Sequence, residues 1–273
     1  MIKSNCHTHT YYCDGKSSPE EMVKSAVRLN FISLGFSVHS PMYFENDWAI
    51  KEEKMSEYYN EIERLRKNYK NKIEIYNGIE LDGDMINLSS YKFDYTIASV
   101  HQLHCGDKIY SIDCSAQELK TCVETEFGGS WLSMAKQYYS SVCDFVCKTK
   151  PDVVGHFDLI EKFNDNKEMF DDESDEYKLL VCLYLDRICY ACPDVIFEVN
   201  TGAMYRCGNK LPYPAPFIMK RLKENNMKIT ITSDSHSVDS LDYAFDETVK
   251  YCKEYGFNEA YILKDGTFQK VNI

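Results

Sequence analysis

No apolar run in this 273-residue chain reaches the length needed to cross a membrane. A Gly/Ser linker, a low-complexity tract and a repeat of fixed period are also missing. The first residues, Met1-Ile2-Lys3-Ser4-Asn5-Cys6, carry no apolar stretch of the kind a secretory signal needs. Basic residues are in deficit, 31 against 43 acidic ones, for a net charge of −12. That balance argues against nucleic acid as the main partner, because phosphate-backbone contacts need Lys and Arg. It leaves room for a small phosphorylated ligand, since bound divalent cations would offset the acids locally.

Cysteine is not scarce, but its 12 positions lack the regular spacing of a secreted disulfide framework. Cys189-Tyr190-Ala191-Cys192 has no second pair at zinc-ribbon spacing and reads as a helix end before Pro193. Cys143 and Cys147, four residues apart, share one helix face and read as core packing. Reduced thiols in a cytoplasmic protein, with no membrane association, are expected.

What is present is alternation. Short apolar runs occur at Ile2 to Cys6, Ile32 to Val38, Ile73 to Ile79, Tyr95 to Val100, Val153 to Gly155, Val195 to Val199 and Ile229 to Thr232. An eighth, Ala260 to Leu263, precedes a hairpin turn at Lys264-Asp265-Gly266. Between them lie amphipathic stretches with helix signals. Ser18-Pro19-Glu20-Glu21 supplies a cap, a first-turn proline and acids at the positive helix end. Other helices are expected over Glu52 to Tyr69, Trp131 to Lys148, Asp175 to Tyr190, Pro216 to Asn225 and Ser240 to Tyr255. Strands alternating with helices predict an α/β fold with a parallel sheet, and seven or eight units favour a closed barrel in one domain spanning 1–273.

Histidine is sparse, with only seven residues, and their placement is not scattered. His7 and His9 end the first strand, His39 the second, His101 the fourth and His156 the fifth; His236 follows the seventh. Glu80 ends the third strand, and Asp234 lies two residues before His236. Barrel enzymes build their sites at this end of their strands. His104, three residues past His101, reads as a surface loop residue. In His7-Thr8-His9, alternate residues leaving a strand point the same way, and Asp234-Ser235-His236 repeats that spacing. Imidazole and carboxylate together suit zinc, manganese or iron, with no need for thiolate.

At these residues the chain resembles the PHP family, the polymerase and histidinol phosphatase phosphoesterases. The matching segments include Cys6-His7-Thr8-His9-Thr10, Cys13-Asp14-Gly15, Ser37-Val38-His39-Ser40, Asn77-Gly78-Ile79-Glu80 and Ser99-Val100-His101. They continue through Val154-Gly155-His156-Phe157-Asp158, Glu198-Val199-Asn200-Thr201 and Thr232-Ser233-Asp234-Ser235-His236. Gly155-His156-Phe157-Asp158-Leu159-Ile160, Tyr213-Pro214 and the Ser233 to His236 segment look most like the histidinol-phosphatase branch. The resemblance implies a distorted (β/α)7 TIM-like barrel holding three divalent metal ions. It implies a first ion on His7, His9, Glu80 and Asp234, and a second on Glu80, His101 and His156. The third would lie on Asp14, His39 and His236.

The expected reaction is hydrolysis of a small phosphate monoester, foremost L-histidinol phosphate. The attacking group would be a metal-bound hydroxide held at Glu80 and Asp234, in line with phosphorus. Arg206 is the candidate for an additional phosphate contact, in the loop after Glu198-Val199-Asn200. Asn200 would orient a ligand or cap its loop. Asp82, Asp84 and the loop from Tyr43 to Trp48 are candidates for the substrate's amine and imidazole. A nucleotide or sugar phosphate as substrate, and a non-catalytic metal-binding module, remain as alternatives.

Overall fold

The computed structural model describes residues 2–164 and 166–273. Seven parallel strands pair in chain order to form a nearly closed barrel: β1 (Ser4–Asn5), β2 (Ser33–Phe36), β3 (Glu74–Leu81), β4 (Tyr95–Ala98), β7 (Val153–Val154), β8 (Ile196–Asn200) and β9 (Lys228–Thr232). The last strand returns to the first just beyond both ends. Thr8 bridges Ser235 in parallel, with the His9 amide donating to the Ser235 carbonyl (2.7 Å) and the Ser235 amide to the His7 carbonyl (3.1 Å).

The barrel strands are buried almost throughout because both faces are covered. All five residues of β8 are buried, as are all but the first of β3. Cys6, Tyr76, Tyr95, Ile97, Val153 and Ile196 form the small cluster inside the barrel. Tyr95 fits there because Gly35 and Gly78 yield space: an added Cβ would lie 2.3 Å and 2.2 Å from atoms of its phenol.

A larger core lies between the sheet and the helices: α1 (Pro19–Arg28), α2 (Met55–Tyr69), α3 (Ala116–Glu126), α4 (Trp131–Thr149), α5 (Asp175–Ala191), α6 (Gly202–Cys207), α7 (Pro216–Glu224) and α8 (Phe245–Glu254). In α1 the Ser18 and Glu21 side chains form a reciprocal capping box, Pro19 opens the first turn, and Met22, Val23 and Ala26 face the core. Among the described residues, no helix is long and apolar enough to cross a membrane.

Two segments differ from the sequence expectation, and a third, after β4, carries structure for which there is none. Residues 260–263 are not an eighth barrel strand. They belong to β10 (Glu259–Lys264), which pairs antiparallel with β11 (Thr267–Asn272). The two-residue turn Asp265-Gly266, with φ of +49° and +80°, reverses the chain at once and leaves no length for a parallel crossover. This hairpin lies against the N-terminal ends of the strands, where Ser33 Oγ donates to the Leu263 carbonyl (2.6 Å). The segment after β4 forms a second hairpin, β5 (Gln102–Cys105) with β6 (Lys108–Ser111), followed by α3. The helix expected from Ser240 begins only at Phe245, behind a short 3-10 turn at Val238–Ser240.

Candidate metal centre

The barrel brings the strand-end residues to one point. Glu80, near the end of β3, is buried at the centre with its carboxylate facing five imidazoles. Its Oε1 lies 3.1 Å from His156 Nε2, 3.3 Å from His7 Nε2 and 3.7 Å from His101 Nε2. Its Oε2 lies 2.8 Å from His39 Nδ1 and 3.5 Å from His9 Nε2. Asp234 Oδ1 sits 3.0 Å from His9 Nε2 and 3.5 Å from His7 Nε2. Asp14 reaches His236 Nε2 at 3.1 Å, His39 Nε2 at 3.7 Å and His9 Nδ1 at 3.8 Å.

These side chains form overlapping groups with metal-ligand spacing: His7, His9 and Asp234; His7, Glu80 and His156; His39, Glu80 and His101; and His9, Asp14, His39 and His236. All nine candidate residues lie in this one cluster, and His9 stands with the Asp14 group as well as with His7. His104 does not join it: it lies on β5 rather than in a loop, and its exposed ring pairs at 2.7 Å with the buried Asp84.

Other side chains hold the imidazoles in place. Glu198 accepts from His7 Nδ1–H at 2.5 Å and from the His156 amide at 2.7 Å. Asp82 Oδ2 lies 2.7 Å from His101 Nδ1 and accepts from the His101 amide at 3.1 Å. A carboxylate on Nδ1 fixes the tautomer and aims the Nε2 lone pair at the cluster. Asn200 donates to Glu198 at 2.9 Å and accepts from the Gly202 amide at 2.7 Å, so it both caps its loop and steadies Glu198. Asp82 and Asp84, the candidates for the substrate's far end, pair with His101 and His104. Arg206 lies on α6 rather than in a loop. Its guanidinium donates to Asp234 Oδ2 (2.7 Å) and the Asp234 carbonyl, and lies 2.9 Å from His236 Nδ1. That grip holds Asp234 at φ +46°, a left-handed backbone unusual for a non-glycine residue.

The PHP domain model matches residues 5–201, about seven-tenths of the chain. The chain belongs to the PHP domain family. This PHP domain is 25% identical over 284 residues to a protein of Schizosaccharomyces pombe named "Probable histidinol-phosphatase", with 97% of this chain and 90% of that protein covered. It is 25% identical over 275 residues to the histidinol-phosphatase of Bacillus subtilis, covering 92% and 100% of the two chains. The crystal structure of histidinol phosphate phosphatase from Lactococcus lactis, complexed with zinc, L-histidinol and phosphate, superposes with a TM-score of 0.70 at 21% identity. That match spans 98% of this chain and all of the other.

The donor set of this PHP domain fits divalent cations. His7 Nε2, His9 Nε2, His156 Nδ1 and Glu80 Oε2 are buried without a hydrogen-bond partner, which a folded core rarely tolerates. The electrostatics point the same way. Burial opposes charge on His7 and His101, but Glu198 and Glu80 beside the first and Glu80 and Asp82 beside the second outweigh it. The His7 pKa is pushed well above the ordinary value and that of His101 up to about 10. A site that attracts protons this strongly attracts cations too, and the two compete for the same lone pairs. Burial, with His236 and His39 alongside, instead pulls His9 down to about 3, which keeps its ring neutral.

Proposed function

We propose that this PHP domain hydrolyses a small phosphate monoester, L-histidinol phosphate, to L-histidinol and phosphate. The observation that carries the reading is the convergence of six histidines with Asp14, Glu80 and Asp234 on one cluster at the C-terminal rim of the barrel, buried except at Asp14 and His236. The histidinol-phosphatase names of relatives matched over nearly the whole chain support the choice of substrate. His7, His9, Glu80 and Asp234 would hold one cation, Glu80, His101 and His156 a second, and Asp14, His39 and His236 a third; Glu80 Oε1 lies 3.7 Å from His101 and 3.1 Å from His156, and His9 stands beside Asp14. Zinc, manganese or iron bound there would neutralise phosphoryl oxygens and lower the pKa of a water.

The chain's own residues supply placement. Glu198 and Asp82 lock the His7 and His101 rings, so those donors need no reorganisation during the reaction. Arg206 fixes Asp234 through one edge of its guanidinium and, partly exposed, offers its remaining N–H groups to a phosphoryl oxygen. Twelve free cysteines accord with a reducing, cytoplasmic setting.

A panel of phosphate esters, assayed after chelation and again after divalent ions are restored, tests the proposal. Phosphate release should vanish and return, with L-histidinol phosphate the best substrate. Better turnover of a nucleotide or sugar phosphate would overturn the substrate, and no release from any ester would overturn the activity.

A further inference from the structure

Beside the cluster lies a cavity of about 200 Å³. His39, His101 and Asp14 line it together with Trp48 and Asp113. The Trp48 ring meets His39 edge-on, with centroids 5.1 Å apart, and stands 6.1 Å from His101. Asp14 is committed to the histidines, so Asp113 is the one acid of this cavity outside the candidate metal groups. It arrives on the turn after β6 and its carboxylate is held still. Lys162 Nζ donates to Oδ2 at 3.1 Å and to the Asp113 carbonyl at 2.9 Å, while Ser111 Oγ donates to Oδ1 at 3.2 Å. Each carboxylate oxygen keeps a further lone pair, because an ionised carboxylate accepts about four hydrogen bonds in all.

We propose that this cavity takes the cationic, non-phosphate arm of the substrate, with Asp113 receiving its ammonium group and Trp48 covering its ring. The inference rests on the proposed phosphatase activity and names the group that selects the substrate. His39, His101 and Asp14 belong both to the candidate metal groups and to this cavity, so the alcohol portion of a phosphate ester bound there would have a fixed carboxylate and an aromatic ring within reach, which suits an organic cation. Lys162 acts as a positioning residue: it gives the carboxylate one orientation and so lowers the ordering cost of binding.

The test compares wild-type and Asp113→Asn protein, both metal-loaded, on L-histidinol phosphate and on p-nitrophenyl phosphate, which carries no cation. The loss of kcat/KM on L-histidinol phosphate should exceed the loss on p-nitrophenyl phosphate at least tenfold and fall mainly on KM. Calorimetric affinity for L-histidinol should weaken by a similar factor, and Asp113→Glu should recover part of both. Equal losses on the two esters, or L-histidinol affinity that does not change, would overturn the assignment of Asp113. A wild-type protein that cleaves p-nitrophenyl phosphate but not L-histidinol phosphate would instead remove the substrate reading, and this inference with it.

Discussion

Glu198 accepts a hydrogen bond from the Nδ1–H of His7 at 2.5 Å, with both side chains out of reach of solvent. The same carboxylate accepts from Thr232 Oγ1, the His156 amide and Asn200 Nδ2, so one acid ties together the ends of β1, β7, β8 and β9. A carboxylate so placed sets the position and basicity of ligands it does not replace.

Glu198→Gln should therefore leave a folded barrel with weaker metal binding. The amide puts a donor where His7 or His156 already donates. Loss of such a partner lowers metal affinity by about 10- to 100-fold. Metal titration, with circular dichroism to monitor folding, measures this. Unchanged affinity would show that the Glu198–His7 contact serves packing alone.

The candidate ligands were legible in the sequence because each histidine closes an apolar run, and in a barrel all such ends share one rim. Glu198 was within the matched segments but was not placed in the site. Its signal was an acid inside the apolar run Ile196-Phe197-Glu198-Val199, a position that demands a partner. Asp113 gave no such signal, since its place depends on the β5–β6 hairpin folding back over the rim. Residues 260–263 misled for a different reason. A short apolar run reads alike in a barrel strand and in a hairpin laid across its base, and the direct bridge between Thr8 and Ser235 leaves no opening for an eighth strand. The helical setting of Arg206 was hidden because α6 is only six residues long.

Arg206→Ala should reduce kcat/KM for phosphate esters by roughly 10- to 100-fold, the size expected when a charged hydrogen bond of about 1.5–3 kcal/mol is lost. Arg206→Lys should restore little, because one ammonium cannot span Asp234 and a phosphoryl oxygen together. Steady-state kinetics at fixed metal content separate a phosphate contact from a role in holding Asp234. If the kinetics match wild type once metal is saturating, Arg206 only anchors Asp234.

Asp158 gives a pH prediction. Burial pushes its carboxyl up to about 7, although its Oδ2 accepts from the Ala215 amide at 2.7 Å; its Oδ1 has no partner. The folded chain thus keeps a proton that the unfolded chain releases near pH 4. Asp158 does not lower stability below that pH, and its contribution turns unfavourable as pH rises from about 4 to about 7. Asp158→Asn should flatten that slope. Urea midpoints of the two proteins at pH 5 and pH 7.5 measure it, and parallel slopes would show that Asp158 ionises freely in the fold.

Gly78 and Tyr95 couple the barrel's interior to the centre. An alanine Cβ at position 78 would lie 2.2 Å from Tyr95 Cζ, and the ring has no free space because it is 2% exposed. Overpacking of this kind costs typically about 1–3 kcal/mol. Either the Tyr95 ring or β3 must move, and Glu80 lies two residues along that strand. Gly78→Ala should therefore lower the melting temperature and weaken metal binding together. Adding Tyr95→Leu, which shortens the obstructing side chain, should recover part of both, a positive coupling in a double-mutant cycle. Losses that simply add would mean that the two residues do not share the space.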